Sequence, residues 1–145
     1  TGMPEDVRVK KIAGHAVLMA QSGQYNVSRC RRHGEEAAAR LACCEFVNHT
    51  LAMLFLLNER HMPFYKWAFR AAKELPKLSE LIPTLEALLR EPDEDTIERV
   101  SAAVIEELRA QGLTDGGWDF LEPHAYAVMR RIQNPEIAAL HIMEV

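Results

Sequence analysis

The sequence predicts an all-α protein, an antiparallel helical bundle of five to seven helices with a long buried central helix. Apolar residues recur at helical spacing along most of the 145 residues, and prolines and glycines interrupt that pattern at short intervals. No alternating strand pattern, internal repeat or low-complexity tract is present in the sequence. With 48% apolar and 26% charged residues, residues 1–145 fit one folded helical domain, in which Thr1 and Gly2 are set aside from the fold.

The first helix is predicted to begin at Pro4, where two acidic residues follow near the positive end of the helix dipole. Ser22-Gly23 is the predicted end of this helix, and Gln24-Tyr25-Asn26 is interpreted as a short polar connection. Helical spacing resumes at Ser28, and Gly34 is the expected joint before the next helix.

The central helix is predicted to run from residue 35 to residue 58, through a stretch rich in alanine and leucine. Pro63 disfavours helix at Met62, so the chain turns there and a short second helix, from Tyr65 to Leu75, completes a hairpin. The helical period predicts an inward face on the central helix that contains Leu41, Cys44, Val47, Asn48, Leu51, Leu54 and Phe55.

In the second half of the chain, prolines and glycines again mark the predicted starts and ends of helices. Pro83 is expected to start or kink a helix, and Pro92, followed by acidic residues, opens another that Gly112 ends. Pro123 is the predicted start of the next helix, and Asn134-Pro135 is predicted to cap a last short one.

Charge is distributed unevenly, since residues 1–78 carry a net charge of +5 and residues 79–145 a net charge of −9. A basic half suits a phosphate-bearing or polar small molecule, or an acidic neighbouring domain. The overall charge of −4 argues against general nucleic-acid binding, which needs a broad basic face. The negative charge of residues 79–145 is explained equally well by acidic helix surfaces that face solvent and bind no partner.

The N-terminal segment is unlike a secretory signal, because Lys10, Lys11 and His15 interrupt its apolar residues. No uninterrupted apolar run approaches the ~18 residues that a membrane span needs. We therefore expect a cytoplasmic protein without membrane contact. The three cysteines are an odd number and are expected to be reduced, partly buried thiols.

Motifs that would mark this chain as a catalyst by itself are absent from the sequence. It contains no C-x-x-C, H-E-x-x-H, G-x-S-x-G or glycine-rich phosphate loop. Glu45 and His49 share a helix face and are interpreted as a polar pair in preference to metal ligands. Asp93-x-Asp95 follows a proline and is interpreted as a helix start. We predict no catalytic and no metal-binding residue in this chain.

One set of polar and aromatic residues is predicted to bind an anionic or polar ligand at the corner around Pro63. Arginine binds phosphate or carboxylate bidentately, lysine adds a compact charge, aromatic rings stack on a base or sugar, and amides give directional hydrogen bonds. The alternative is structural, with the aromatic side chains in the core and the arginines paired with Glu35 or Glu36. The predicted substrate-binding residues are Gln24, Tyr25, Asn26, Arg29, Arg32, Asn58, Tyr65, Lys66 and Trp67.

Three motifs carry a resemblance: Q-Y-N at 24–26 with Arg29 and Arg32, L-N-E-R at 57–60, and P-F-Y-K-W at 63–67. Together they resemble an uncharacterised bacterial family of helical domains found C-terminal to minimal nucleotidyltransferase domains. The resemblance covers nearly the whole chain. It implies the substrate-side domain of a nucleotidyltransferase similar to the kanamycin-modifying kind, packed against an N-terminal catalytic domain, with a phosphate-bearing or polar small molecule as ligand.

The chain departs from the complete nucleotidyltransferase pattern. It has neither the Gly-Ser turn that holds the triphosphate nor a strand with two or three carboxylates for Mg²⁺. The resemblance therefore implies that Mg²⁺ and a nucleoside triphosphate belong to a missing catalytic domain of a metal-dependent parent, and that this chain alone has no cofactor and is inactive. The alternative is a non-catalytic helical module for protein interaction, dimerisation or other homo-oligomerisation.

Overall fold

The computed structural model describes residues 3–144, and helices are the only regular secondary structure in that range. Thr1, Gly2 and Val145 lie outside the described residues. The elements are α1 (Glu5–Met19), a π-helical segment (Ala20–Val27), α2 (Ser28–Arg32), α3 (Glu36–Leu57), α4 (Tyr65–Ala72), a 3₁₀ turn (Ser79–Leu81), α5 (Ile82–Arg90), α6 (Glu94–Ala110), α7 (Leu121–Met129) and α8 (Pro135–Ala138). Because α1, the π-helical segment and α2 are continuous, residues 3–144 form seven helical units. The predicted all-α bundle of five to seven helices is confirmed.

The predicted helix end at Ser22-Gly23 is wrong, and so is the polar connection at Gln24-Tyr25-Asn26, because the helix continues through both in π-helical form. Gly23 allows the helix to pack closely against Phe46 of α3. A Cβ atom on it would lie 2.2 Å from Cδ1 of the buried Phe46 ring, so only glycine lets the helix approach α3 this closely. The Ser22 hydroxyl donates a hydrogen bond of 2.7 Å to the Leu18 carbonyl, which satisfies it inside the helix.

Helix α3 is the predicted long central helix, and it runs antiparallel to the first helical unit. Its register is defined by contacts along its whole length: Arg8 Nη1 donates to the Leu56 carbonyl at 2.9 Å, the His15 and His49 Nδ1 atoms lie 3.0 Å apart, and Arg31 Nε lies 3.4 Å from a Glu36 carboxylate oxygen. The second half of α3 is buried on every side, which includes the consecutive residues 50–57. This helix therefore supplies the core on which the other units pack.

The predicted inward face of α3 is wrong in its first half. Leu41 is 70% exposed and Cys44 is exposed, whereas Cys43 and Phe46 point into the core. The Cys43 thiol donates to the Leu88 carbonyl of α5 at 3.5 Å, and Phe46 packs under Gly23. In the first half of α3 the buried side is therefore adjacent to the predicted one. The helical period of the apolar residues did not locate it, because the second half of α3 is buried on every side and does not indicate which side of the first half the neighbouring helices cover.

Several chain breaks are where the sequence predicts them. Gly34 and Gly112 have φ angles of 74° and 73° and terminate α2 and α6. Pro83 lies in the first turn of α5, and Asn134 accepts hydrogen bonds from the first amides of α8. Helix α7 begins at Leu121, two residues before its proline.

By length and composition alone, α3 is apolar enough to cross a membrane, with a mean hydropathy of 1.3 over an 18-residue window. Within the described protein, 61% of that window is buried against other helices. A core helix surrounded by the rest of its domain has the same composition, so the window is weak support for a membrane span.

Candidate binding surface at the α3–α4 corner

The corner between α3 and α4 begins with a tight helix end. The Arg60 amide donates to the Phe55 carbonyl at 2.9 Å and the Glu59 amide donates to the Leu56 carbonyl at 3.0 Å. These two bonds form a Schellman motif, whose central residue adopts the left-handed conformation. That residue is Glu59, with φ 55°. Glycine fills the equivalent place at the ends of α2 and α6, so the corner alone of these three carries a side chain there, at a cost of about 1 kcal/mol.

Asn58 fastens this corner to the chain that follows α4. Its amide nitrogen donates to the Leu54 and Lys77 carbonyls at 2.7 and 3.0 Å, and its amide oxygen accepts from the Lys77 amide at 2.9 Å. Both polar atoms of the side chain are thus already engaged with the backbone. The geometry explains Asn58 as a structural residue of the corner, and its predicted contact with a ligand stays a prediction.

The start of helix α4 carries exposed aromatic side chains, whereas Phe69, one turn further on, packs half-buried against the core. Only Ala68 and Ala72 of this helix are buried, whereas Phe64, Tyr65 and Trp67 are 67%, 75% and 49% exposed. The Phe64 and Tyr65 rings contact each other, with centroids 4.6 Å apart. We call the exposed surface formed by Phe64, Tyr65, Lys66, Trp67 and Arg70 the α4 face.

Two cations of the α4 face lie against its largest ring. The Lys66 Nζ and Arg70 Cζ atoms lie 5.4 and 5.3 Å from the Trp67 ring centroid, within range of a cation–π interaction. Neither side chain forms an ion pair within residues 3–144. The face therefore offers ring surface for stacking and positive charge without a carboxylate partner.

The residues predicted in the first half of the site lie on the π-helical segment and α2. Gln24 is engaged in packing: its amide oxygen accepts from the Leu121 amide at 2.8 Å, and its nitrogen donates to the Asp119 carbonyl at 3.2 Å and to Glu98 at 3.1 Å. It joins the first helical unit to the start of α7 and to α6. Such a role needs no ligand.

Tyr25, Arg29 and Arg32 are partnered within their own helix. Arg29 Nη1 donates to the Tyr25 hydroxyl at 3.0 Å, and Arg32 Nη1 donates to the Ser28 hydroxyl at 3.2 Å. The structural alternative paired these arginines with Glu35 or Glu36, but Glu36 pairs with Arg31. Tyr25 and Asn26 also line a groove of about 380 Å³ together with Gln21, Phe120 and Glu122. A π-helical segment is rare and is frequent at functional sites.

The structure does not bring the two halves of the predicted site into contact. Arg29 and Arg32 lie near the first residue of α3, and Asn58 lies past its last residue, so about 33 Å of helix separates these ends. In the described part of the chain, no hydrogen bond or ion pair joins either arginine to Asn58 or to the α4 face. The expected approach of the two groups is therefore wrong in this conformation, and a ligand role for each group separately stays a prediction.

A pocket that the sequence did not indicate lies beside the corner. It has a volume of about 230 Å³ and lies between α1, α3 and the chain that follows Glu59. The polar residues of its lining are Lys11, His15, Arg60 and His61, and Ala52, Phe55 and Leu56 of α3 with Met3 and Met62 form the apolar lining. The spacing of Lys11 and His15, four residues apart on α1, predicts that they share a helix face. Their position beside Arg60 depends on how α1 packs against α3, which the sequence does not show.

His15 pairs with His49 of α3 at the edge of this pocket. Their Nδ1 atoms are 3.0 Å apart, so one imidazole donates to the other, and the predicted pairing of His49 with Glu45 is replaced by this contact. Burial first, and then the charges of His49, Lys11 and Lys10, together lower the pKa of His15 from its ordinary value of 6.5 to about 4. Burial also lowers the pKa of His49, and Glu45 opposes that shift through its charge. Both rings are therefore neutral at pH 7.

The described residues do not fit a metal site. No group of three or more His, Cys, Asp or Glu side chains within residues 3–144 is placed to hold a metal ion. Asp93 caps α6 by accepting from the Thr96 amide at 2.9 Å and from its hydroxyl, as the helix-start interpretation predicts. Asp95 lies in the first turn of the same helix. The pair thus does not form the carboxylate site that Mg²⁺ needs for nucleotidyl transfer, and no chemical step is assigned to it.

Fold and surface together define an all-α helical bundle with an exposed aromatic and cationic face. Residues 1–68 match the model of a family described as a domain of unknown function (DUF4037), so this part of the chain is similar to that uncharacterised family. The matched residues include all three motifs and end at Ala68, inside α4. No curated protein and no solved structure matches the chain.

Proposed function

We propose that this chain is the C-terminal, substrate-side helical domain of a bacterial, cytoplasmic nucleotidyltransferase-like protein, and that the α4 face packs against the N-terminal catalytic domain. The observation that carries the proposal is the exposure of Phe64, Tyr65 and Trp67 at the start of one short helix. The three motifs that resemble the C-terminal domains of minimal nucleotidyltransferases support it. The match of residues 1–68 to an uncharacterised domain family is compatible with it.

An exposed aromatic cluster on a well-packed domain needs a surface to cover it. Aromatic side chains contribute most to protein interfaces when a partner buries them, and contiguous exposed apolar patches mark interaction sites. The α4 face adds Lys66 and Arg70 to its rings. Such a surface suits a partner with carboxylates, phosphates or an aromatic base at its edge. A catalytic domain that holds a nucleotide and acidic metal ligands has this chemistry.

In this arrangement the two domains divide the reaction between them. The catalytic domain would supply the carboxylates that hold Mg²⁺ and the nucleoside triphosphate, because residues 3–144 place no group of three or more acidic, histidine or cysteine side chains around a metal ion. The helical domain would orient a polar or phosphate-bearing acceptor at the corner and exclude water from the cleft. It would transfer no nucleotide by itself.

Reading the coding sequence upstream of residue 1 is the first test, because the proposal requires a domain there with a Gly-Ser turn and paired carboxylates. The second test expresses that domain and this chain separately and measures their association by calorimetry. We expect the Tyr65→Ala, Trp67→Ala double variant to weaken association more than about tenfold. Tyr126→Ala is the matched control, since Tyr126 is 45% exposed on α7, and it should leave association unchanged. Equal association of all three proteins would overturn the assignment of the α4 face.

The second candidate is a non-catalytic interaction module in which the α4 face of one chain packs on that of a second copy. The same exposed rings favour it, because aromatic surface is enriched in homodimer interfaces as well. Sedimentation equilibrium distinguishes the two. A dimer that the Tyr65→Ala, Trp67→Ala variant dissociates supports the second candidate, and a monomer at all concentrations supports the first.

A further inference from the structure

We propose that the pocket between α1, α3 and the corner binds a small organic phosphate, with its phosphate group held by Lys11 and Arg60 and its apolar part against Phe55 and Leu56. The inference goes beyond the proposed function, because this site is separate from the α4 face and its lining residues all belong to this chain. A ligand can therefore be tested without a catalytic domain.

The charge of the pocket points to an anion. Of the described residues that line it, four are basic or imidazole side chains and none is acidic, although acidic residues outnumber basic ones in the chain as a whole. Neither Lys11 nor Arg60 forms an ion pair or a side-chain hydrogen bond within residues 3–144. Like Lys66 and Arg70 of the α4 face, these two cations are without a carboxylate partner in that range, whereas Arg8, Lys73 and Lys77 pair with Glu5, Glu86 and Glu107.

The arrangement favours a phosphate over a single carboxylate. Lys11 approaches from α1 and Arg60 from the corner, and the exposed His61 follows Arg60, so positive groups lie on separate elements. A phosphate monoester carries about −1.5 to −2 charges at pH 7 and three acceptor oxygens, which such a distribution can satisfy together. Glu144 lies with Lys11 in the next groove along α1, but no ion pair joins them in the described chain.

The histidine pair adds a neutral polar edge to the pocket. With His15 and His49 uncharged at pH 7, Nδ1 of one ring donates to Nδ1 of the other. Only His15 lines the pocket, and its Nε2 atom forms no hydrogen bond within residues 3–144. An anion bound near Lys11 would offset the positive charge that helps to keep the pKa of His15 low. The titration of His15 thus reports on occupancy of the pocket.

Size and shape restrict the ligand further. A volume of about 230 Å³ is below the roughly 300–1,000 Å³ of pockets that enclose drug-sized ligands. The pocket therefore accommodates a phosphate with one short chain or ring, or one end of a larger molecule. The apolar side chains of Phe55 and Leu56 give the non-polar part a surface to cover, so an organic phosphate should bind better than inorganic phosphate.

The test titrates the purified chain with phenyl phosphate, inorganic phosphate, benzoate and benzyl alcohol, with ¹H–¹⁵N and imidazole NMR signals as readouts. We expect phenyl phosphate to bind most tightly, to shift the amides of residues 11–15 and 59–62, and to raise the pKa of His15. Arg60→Ala and Lys11→Ala should each weaken its binding at least about tenfold, since each removes a charge-assisted hydrogen bond. Arg130→Ala is the control, because Arg130 is exposed, lies outside the pocket and has no ion pair within residues 3–144.

Three outcomes would overturn the proposal. The first is no saturable binding of phenyl phosphate, and the second is equal weakening by Arg60→Ala and Arg130→Ala, which would indicate non-specific attraction. The third is binding of benzyl alcohol as tight as that of phenyl phosphate, which would show that the pocket recognises the ring and not the phosphate group. Melting curves show whether each variant is folded. Because Arg60 is exposed, we expect Arg60→Ala to fold, so the test remains decisive even if Lys11→Ala does not fold. A chain that binds no phosphate yet still associates with the catalytic domain would leave the proposed function intact.

Discussion

Replacing Gly23 by alanine sets two known effects against each other. In a helix interior alanine is favoured over glycine by about 1 kcal/mol, so the local effect is stabilising. The new Cβ atom, however, would lie 2.2, 2.7 and 2.9 Å from three atoms of the Phe46 ring. That ring must move by more than about 1 Å to restore an ordinary contact, and it is fully buried in a close-packed core. Overpacking of this kind costs about 1–3 kcal/mol. The difference is a net loss of up to about 2 kcal/mol in the free energy of unfolding, and the 2.2 Å approach favours the upper part of that range.

Urea denaturation followed by far-ultraviolet circular dichroism measures this difference. The Phe46→Leu background removes the ring, so Gly23→Ala should there cost nothing or stabilise the protein, and the double-mutant cycle isolates the contact. Gly117→Ala is a matched control, because no atom lies within 4 Å of its added Cβ. An increase in stability for Gly23→Ala alone would refute the close approach of the first helical unit to α3.

Three further predictions concern the core, the histidine pair and the corner. Leu51→Ala should lower the free energy of unfolding by about 2 to 5 kcal/mol, because Leu51 is 4% exposed in the core, and an unchanged melting curve would place it on the surface. Because the folded pKa of His15, about 4, is below its ordinary value of 6.5, the unfolded chain binds the proton first as pH falls, and stability is lost across that window. The loss due to His15 should reach about 2 kcal/mol between pH 7.5 and pH 5. His15→Gln should lose less stability by about that amount, because only the lowered pKa of His49 still contributes there. Equal losses of stability in the two proteins, measured by urea titration at both pH values, would contradict the prediction. Glu59→Gly should raise stability by about 1 kcal/mol by relieving the left-handed conformation, and a lower midpoint of thermal unfolding would show that the Glu59 side chain contributes more than the strain costs.

Features encoded by local backbone chemistry were predictable from the sequence. Gly34 and Gly112 end helices because a left-handed residue suits glycine, and Pro63 turns the chain after α3 because proline disfavours helix in the residue before it. The same logic failed at Gly23, where glycine makes room for Phe46 and no local signal separates that use from a helix end. The corner of α3 shows the reverse case, since Glu59 gives no sign in the sequence of its left-handed conformation.

The candidate site was predictable in composition but not in arrangement. The P-F-Y-K-W motif indicated an unusual surface, and its rings are indeed exposed on α4. The roles of Asn58 and Gln24 in joining elements were hidden, because the partners that they join, Lys77 and Leu121, lie 19 and 97 residues away in the chain. The pocket of Lys11 and Arg60 depends on the antiparallel register of α1 and α3, which only the packed structure specifies.

The central claim is that the α4 face is covered by a catalytic domain in the intact protein. Amide hydrogen exchange, measured by mass spectrometry on this chain alone and in the presence of the upstream domain, tests it most directly. We expect exchange of residues 58–72 to slow in the complex while α7 exchanges at an unchanged rate. Unchanged exchange of residues 58–72, with protection elsewhere or nowhere, would contradict the account.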